Sequence, residues 1–188
     1  DLGPARPISE FPWFVSIGAG VGYASVVHPQ IVQGAIATPT FTLLAGYTFR
    51  ERFTLGFDWS AVEAQLGRDT LGEQFRLGYS PQAGCTGCKP KVPGGDIGAT
   101  SLVMNTVGAR FEYAPLGRDG LFLGATAGLA FMVGLESQSG FGAAGRVGYR
   151  FRPSNIIALS VEGGVQAQLY DDTQMYMPFG ALSLRPYF

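Results

Sequence analysis

Apolar residues alternate with small or polar residues along most of this chain, and this period of two constrains its fold more than any other feature. In residues 13–23, every odd position from Trp13 to Tyr23 is apolar, whereas the even positions are mainly glycine and serine. Successive side chains of a β-strand point to opposite faces, so such a segment predicts a strand with one apolar face. Eight segments show the pattern: 13–23, 40–50, 53–61, 103–113, 121–135, 141–151, 157–169 and 176–188.

The second face of these strands distinguishes a membrane barrel from a soluble β-sandwich. A soluble sheet would carry Lys, Glu and Thr on its wet face, but here that face is mostly Gly, Ala, Ser and Thr with isolated charges. Charged residues make up only 14% of the chain, against roughly 25% in typical globular proteins. Small residues suit the narrow lumen of an eight-stranded barrel, and aromatic residues near the strand ends resemble interfacial girdles. The sequence therefore predicts an all-β fold, an eight-stranded antiparallel up-and-down transmembrane β-barrel.

Charge and hydropathy exclude other classes of protein. A net charge of −1 provides no basic face for a nucleic-acid partner. No run of about 18 apolar residues occurs, which excludes a transmembrane helix and leaves the closed barrel as the membrane-spanning solution. The start of the chain shows neither a charged nor an apolar export region. We therefore expect a mature chain whose signal has been removed.

The connections between the predicted strands alternate in length. The short turns are 50–52, 114–120 and 153–155, and the other connections are loops at 24–38, 62–100, 136–140 and 170–174. Barrels of this kind have short periplasmic turns and longer extracellular loops, and an even strand count puts both termini in the periplasm. We expect a periplasmic N-terminal arm, 1–10, and a single barrel domain, 11–188, with the long extracellular loop 62–100. Segment 73–80 also alternates and is interpreted as a hairpin or strand extension within that loop.

The predicted barrel resembles the eight-stranded outer-membrane barrel families of OmpA, OmpX and OmpW type. The resemblance rests on the strand pattern over nearly the whole chain and on the last strand, where Leu182 and Leu184 precede the terminal Phe188 at even spacing. In such families the barrel-assembly machinery reads the terminal aromatic residue, so the resemblance implies that role for Phe188. It also implies a location in the bacterial outer membrane, in contact with lipid and lipopolysaccharide.

Inward-facing charged residues predict a charge network in the lumen. Its predicted members are Asp58, Arg110, Arg146, Arg150 and Glu162, with Arg50, Arg152 and Arg185 near the periplasmic rim. Buried charges are costly unless they are paired. Arg146 and Glu162 are nearly equidistant from the turn 153–155, which predicts that they lie close together, and Asp58 could pair with Arg110. Both a gated ion path and a lumen plugged by its own ion pairs fit this pattern, and we favour the plug.

Cys85 and Cys88 form a Cys-Thr-Gly-Cys motif within the loop 62–100. A local disulfide, half of a metal site and a redox pair are the three alternatives. Structural zinc needs four ligands, and the only histidine lies in a different predicted loop. A thioredoxin-like pair would need a βαβ context, which is absent, whereas disulfides persist in an oxidising compartment. We therefore predict a disulfide, with no metal site and no cofactor.

His28 is the one candidate for catalysis, because some small outer-membrane barrels modify lipid A with His, Ser and an acidic residue. Ser25 lies three residues before it, and the acidic residues of the other outer loops are Glu63, Asp69 and Asp171. The chemistry needs a nucleophile, a base and an orienting group within hydrogen-bond reach, which this spacing does not demonstrate. We therefore predict that the protein is not an enzyme.

Two functions remain. The first is a non-enzymatic anchor, scaffold or interaction subunit that contacts other envelope proteins through its outer loops or its lipid-facing surface. The second is a narrow channel of OmpW type for small apolar molecules. Loops longer than about 12–15 residues are usually functional or disordered, so the long loop favours the first. A channel would need an apolar outer lumen, where Gly, Thr and Gln occur as often as Leu; Met104 and Met132 are interpreted as packing residues.

Overall fold

Eight antiparallel strands form one closed barrel, which confirms the predicted fold class. The computed structural model describes residues 12–28, 31–66, 100–117, 119–133, 137–154 and 156–188. Each strand pairs with its neighbours in sequence, and β1 pairs with β8 to close the barrel. The strands are β1 (Trp13–His28), β2 (Ile31–Phe49), β3 (Phe53–Leu66), β4 (Thr100–Tyr113), β5 (Gly120–Val133), β6 (Gln138–Ser154), β7 (Ile157–Leu169) and β8 (Gln174–Pro186).

The two ends of the barrel differ in their connections. The terminal end is where β1 begins and β8 ends, and it carries the short turns 50–52, 114–119 and 155–156. The loop end is where β1 ends and β8 begins, and it carries the connections 29–30, 67–99, 134–137 and 170–173. Within the described ranges, the chain contains no helix that is long and apolar enough to cross a membrane.

Several strands extend further toward the loop end than the sequence pattern predicts. β1 and β2 pair as far as His28 and Ile31, so the predicted loop 24–38 is wrong. β3 continues to Leu66, which shortens the predicted loop 62–100 to residues 67–99, and β6 begins at Gln138 inside the predicted loop 136–140. Strand pairing needs only backbone hydrogen bonds, so a ladder can continue where the apolar alternation has ended. The predicted arm 1–10 and segment 73–80 lie outside the described residues.

The outer surface of the barrel is apolar. Four of its outward side chains are each more than half exposed, and the residue that follows each of them is buried: Trp13, Ile17, Phe57 and Tyr149. Asn105, the one polar interruption predicted on this face of β4, accepts a hydrogen bond from the Trp59 indole at 3.2 Å. A surface of this kind is stable against hydrocarbon and is too extensively apolar for a monomer in water.

Aromatic rings cluster on the outer surface at the terminal end. The Trp13 and Tyr47 rings meet edge to face at 5.0 Å, and Phe53 stacks on Phe49 at 5.6 Å and on Tyr113 at 5.2 Å. These rings span β1 to β4 at one level. Such a belt is typical of the membrane–water interface of a transmembrane barrel.

Candidate functional site

The lumen is filled by four successive layers of side chains, and these layers are the candidate functional site. From the terminal end they are a small apolar cluster, a charge network, an amide–hydroxyl layer and a larger apolar cluster. An eight-stranded barrel has an interior just wide enough for side chains to fill. Each layer is therefore a cross-section that a permeating molecule would have to displace.

The terminal apolar cluster closes the lumen beneath the charges. It consists of Phe14, Leu44, Ala158 and Tyr187, all 5% exposed or less. The Phe14 and Tyr187 rings lie 5.7 Å apart, and these residues bridge the first and last strands. The cluster separates the charge network from water at this end of the barrel.

Glu112 is the centre of the terminal half of the charge network. Its carboxylate accepts from Arg150 Nη2 at 2.6 Å and from both Arg185 Nη1 and Nη2 at 2.9 Å. Arg110 Nη2 lies 2.7 Å from the same carboxylate. Three guanidinium groups thus share one acid, in a position where Glu112 is only 1% exposed.

Arg110 links Glu112 to the second half of the network, which lies nearer the loop end. Its Nη2 donates to Glu162 Oε2 at 2.7 Å, and its Nη1 lies 3.9 Å from Asp58 Oδ1. Arg146 donates to Glu162 Oε1 at 3.3 Å and to Asp58 Oδ2 at 3.1 Å. Thr126 completes the set by donating to Asp58 at 2.8 Å. In this half, two arginines pair with two acids, and each arginine contacts both acids.

The structure brings together all five side chains that the sequence assigned to a lumen charge network. Arg146 contacts Glu162, and Arg110 lies within ion-pair distance of Asp58, as the strand positions predict. Sequence reasoning missed Glu112 as the central acid, although its inward position was evident from the alternation. It also placed Arg185 at the rim, whereas that residue is 1% exposed inside the network. An unpaired Arg150 on an inward position was the signal that another acid was needed.

Three of the guanidinium groups lie over aromatic rings that face inward. Arg185 lies 4.2 Å from the Phe14 ring centre, and Arg150 lies 4.7 Å from that of Phe122. Arg146 lies 5.5 Å from the ring centre of Phe179. The rings cover the faces of the guanidinium groups, and the N–H groups at the guanidinium edges donate to carboxylates. Cation–π contacts of this kind are attractive when the cation is desolvated.

Glycines on adjacent strands create the space for these long side chains. Gly124 and Gly164 flank Arg146 directly, and a Cβ at Gly124 would lie 2.9 Å from Arg146 Cγ. A Cβ at Gly148 would lie 2.5 Å from the Phe122 ring that Arg150 covers. The same arrangement holds for most of the network. The cross-strand pairs are Asp58 with Gly108, Arg110 with Gly56, Glu112 with Gly124, Arg150 with Gly120, and Glu162 with Gly148.

An amide–hydroxyl layer lies beyond the charges. Gln166 Nε2 donates to Ser60 at 3.2 Å and to Thr106 at 3.1 Å, and Gln168 Nε2 donates to Thr106 at 2.7 Å. The Tyr170 hydroxyl donates to Gln168 Oε1 at 2.6 Å. This layer satisfies its own donors and acceptors, and Tyr170 connects it to the last layer.

The loop-end apolar cluster contains all four methionines of the chain. Its members are Ala24, Val26, Val62, Met104, Ala130, Met132, Tyr170, Met175 and Met177, with Phe179 packed against them. Gly, Thr and Gln occur as often as Leu in the predicted outer lumen, but the conclusion drawn from this, that this end is not apolar, is wrong. It failed because residues 24–38 were interpreted as a loop, which removed Ala24 and Val26 from the lumen, and because the inward-facing Met175 and Met177 were not assigned.

The remaining sequence-predicted sites fall outside this arrangement. Cys85 and Cys88 lie outside the described residues, so the predicted disulfide stays a prediction. His28 is the last residue of β1, and its side chain lies outside the described part of the structure. Phe188 is 62% exposed at the terminal end, and its backbone N–H donates to the Trp13 carbonyl at 3.0 Å. No group of three or more metal-ligating side chains occurs in the described ranges.

Several solved outer-membrane proteins are similar to this chain in fold. Ail, the attachment invasion locus protein of Yersinia pestis, is 14% identical, with a TM-score of 0.51 over 93% of this chain and 99% of its own. Neisserial surface protein A is 10% identical, with a TM-score of 0.55 over 94% and 97% of the two chains. The outer membrane protein OprG from Pseudomonas aeruginosa is 11% identical, with a TM-score of 0.51 over 95% and 96%. No protein-family profile and no curated protein matches the sequence. The chain therefore shares the fold of small outer-membrane barrels.

Proposed function

We propose that this protein is a non-enzymatic outer-membrane barrel that acts as an anchor, scaffold or interaction subunit through its outer surface and its loops. The observation that carries the proposal is the filled lumen. The seven charged side chains of the network are between 1% and 6% exposed, and an apolar cluster lies on each side of them. A solute would have to break several buried ion pairs to pass, so the outside of the barrel is the surface available for function.

The apolar belt and the connection pattern support the location and orientation within this proposal. The exposed face between the two ends is suited to hydrocarbon, since its large apolar side chains alternate with the lumen residues along every strand. The terminal end carries the short turns, which in such barrels face the periplasm. Under this proposal both termini are periplasmic, and the connection 67–99 reaches the extracellular side with Cys85 and Cys88.

An apolar groove on the outer wall is a candidate contact surface. It has a volume of about 560 Å³ and is lined mainly by outward-facing residues of β1, β6, β7 and β8, among them Ala19, Tyr149, Phe151, Leu159 and Leu182. Small residues at its floor allow close approach of a partner, as they do at transmembrane packing interfaces. The groove lies on the wall that contains the β1–β8 closure.

Native mass spectrometry of protein extracted from its own membranes in mild detergent tests the proposal. We expect a mass above that of one chain, with defined partner proteins. The variant Ala19→Trp fills the groove, and Ala127→Trp is the matched control because Ala127 is an exposed outward alanine of β5. Loss of partners in the first variant alone would identify the groove as the contact, whereas loss on removing residues 67–99 would identify the loop. A bare monomer that conducts ions in planar bilayers would overturn the proposal.

A second candidate function is a narrow path for small apolar molecules, and the loop-end apolar cluster favours it. Methionine is flexible and polarisable, so a methionine-rich pocket can repack around different apolar ligands. The cluster lies at the loop end of the lumen, and the charge network blocks the route along the barrel axis beyond it. Such a molecule would therefore have to leave sideways between strands.

Uptake of naphthalene into proteoliposomes distinguishes this candidate. Met177→Phe adds bulk to the cluster, and Met177→Leu preserves its volume and is the control. A lower rate with the phenylalanine variant alone would support the apolar path. Equal uptake by protein-containing and protein-free vesicles would exclude it.

A further inference from the structure

The buried charges of the described lumen do not balance. Four arginines, Arg110, Arg146, Arg150 and Arg185, face three acids, Asp58, Glu112 and Glu162. All seven are at least nine-tenths buried. Desolvating an uncompensated charge is costly even when polar groups surround it. The imbalance therefore calls for a compensating group.

The surplus charge is located in the terminal half of the network. In the other half of the network, Arg110 pairs with Glu162 and Arg146 pairs with Asp58. Among the described carboxylates, Glu112 alone contacts Arg150 and Arg185, and both arginines donate to the same oxygen, Oε2, at 2.6 and 2.9 Å. Because they share one oxygen atom, their two guanidinium groups are held close together with one negative charge between them.

Donors without an acceptor occur at the same place. The Nε–H groups of all four buried arginines have no hydrogen-bond partner, and those of Arg150 and Arg185 lie in this half. The Ser160 hydroxyl, 3% exposed, also has none. Ser160 lies directly opposite Arg150 on the neighbouring strand, and it is diagonal to Arg185 on the other side. Side chains in these positions are separated by about 5 and 7 Å at Cβ, within reach of one small ligand.

We infer that the terminal half of the lumen contains a binding site for a small monovalent anion of halide size, formed by Arg150, Arg185 and Ser160. One such anion makes the buried network neutral and accepts hydrogen bonds from donors that otherwise have no acceptor. The terminal apolar cluster of Phe14, Leu44, Ala158 and Tyr187 then shields the anion from water. This role is independent of what the outer surface binds.

The aromatic rings offer the competing explanation for the surplus charge. Phe14 and Phe122 cover the faces of Arg185 and Arg150, and cation–π contacts compensate part of a desolvation cost. They act on the faces of the guanidinium groups, however, and leave the in-plane Nε–H donors without acceptors. A ring does not replace a hydrogen-bond acceptor for these edges or for the Ser160 hydroxyl.

Bromide is the probe for the experiment, because its anomalous scattering distinguishes it from water. Crystals of the full chain soaked in sodium bromide should show an anomalous peak bounded by Arg150, Arg185 and Ser160. In solution, the thermal midpoint should rise by about 3–5 °C for each ten-fold increase in bromide above half-saturation. Sodium gluconate at equal ionic strength should not reproduce the rise, since its anion is too large for the site.

Two variants and two controls make the measurement specific. Ser160→Ala removes one donor and should raise the half-saturating bromide concentration by about 3–10-fold, with the fold retained. Arg150→Gln removes the surplus charge and should abolish both the peak and the bromide dependence. Ser60→Ala, in the amide–hydroxyl layer, and Arg152→Gln, which pairs with Asp119 outside the network, should leave the dependence unchanged.

The proposal is overturned if no peak appears and bromide stabilises no more than gluconate. It is also overturned if the wild type and the Ser160→Ala variant respond equally to bromide, because the hydroxyl is then not a ligand. Either result would assign the surplus charge to the aromatic rings and to water. The Ser160→Ala arm remains informative if Arg150→Gln does not fold.

Discussion

The two halves of the lumen solve the same packing problem with opposite chemistry. The half of the lumen at the terminal end contains the whole network of seven charges. The half at the loop end is filled by a cluster that contains four methionines. Both halves are bounded by eight strands of similar pairing, so the backbone does not distinguish them. The two halves differ in how well their side chains tolerate substitution. Ion pairs depend on every partner and on direction, whereas thioether chains adapt their shape.

This contrast indicates which half holds the barrel rigid and which half can rearrange. In the terminal half, Glu112 fixes side chains from β6 and β8 through contacts of 2.6 to 2.9 Å. At the loop end, Met104 and Met132 are direct partners on β4 and β5 without directional contacts to fix them. We therefore expect substitutions in the terminal half to be costly whenever charge is lost. We expect substitutions at the loop end to be costly only when volume is lost.

The largest effect should come from Glu112→Gln. Arg150 and Arg185 lose their only carboxylate partner in the described lumen, whereas Arg110 keeps Glu162. Two buried charges without a partner should cost about 3–5 kcal/mol in free energy of unfolding. Urea unfolding of the folded barrel in lipid vesicles, followed by fluorescence of Trp13 and Trp59, measures it. Asp119→Asn is the control, since the Asp119 side chain is 53% exposed and its pair with Arg152 should contribute about 0–1 kcal/mol. Equal losses in both variants would remove the distinction between the network and a surface pair.

Met104→Ala should be the next largest. It opens a cavity in the loop-end cluster and should cost about 2–5 kcal/mol, whereas Met104→Leu should cost less than about 1.5 kcal/mol. The same unfolding experiment compares the two variants. The comparison of the halves breaks down if the leucine variant is as unstable as the alanine variant, because volume would then not be what this half requires.

Gly148→Ala tests the space that glycine provides for the terminal half. The added Cβ would meet the Phe122 ring beneath Arg150, and overpacking of this kind costs about 1–3 kcal/mol. Gly145→Ala on the same strand is the matched control, because a Cβ at Gly145 meets nothing within 4 Å. The expected result is a loss of stability at position 148 only. Similar behaviour at both positions would show that the ring moves without cost.

The smallest effect is a coupling energy. The double variant Glu112→Gln with Arg185→Gln should be more stable than the sum of the two single losses predicts, by about 0.5–3 kcal/mol. The physical reason is that Arg185→Gln removes one of the charges that Glu112→Gln leaves unpaired. A double-mutant cycle from the same urea transitions measures it. Strict additivity would mean that the two side chains do not interact in lipid.

The sequence predicted the strands well where an apolar face meets hydrocarbon. The alternation from Trp13 to Tyr23 identified β1, and the same pattern placed Arg110, Arg146 and Glu162 inward. It failed beyond the apolar belt, where β1 continues to His28 and β2 begins at Ile31, within the range 24–38 that was predicted as a loop. Met104 and Met132 were predicted as packing residues, but the rest of the loop-end apolar cluster was missed. Ala24, Val26, Val62 and Met175 lie in strand extensions that only backbone pairing reveals.

The sequence by itself determined the closed barrel, because a period of two with one lipid-compatible face admits few other folds in a chain so poor in charge. It also determined which side chains face inward, since that follows from alternation alone. The partners of those side chains were decided only by tertiary structure. Glu112 on β4 meets Arg185 on β8 across the lumen, at a separation of 73 residues. Such contacts depend on barrel closure and on strand register, which no local pattern of residues encodes.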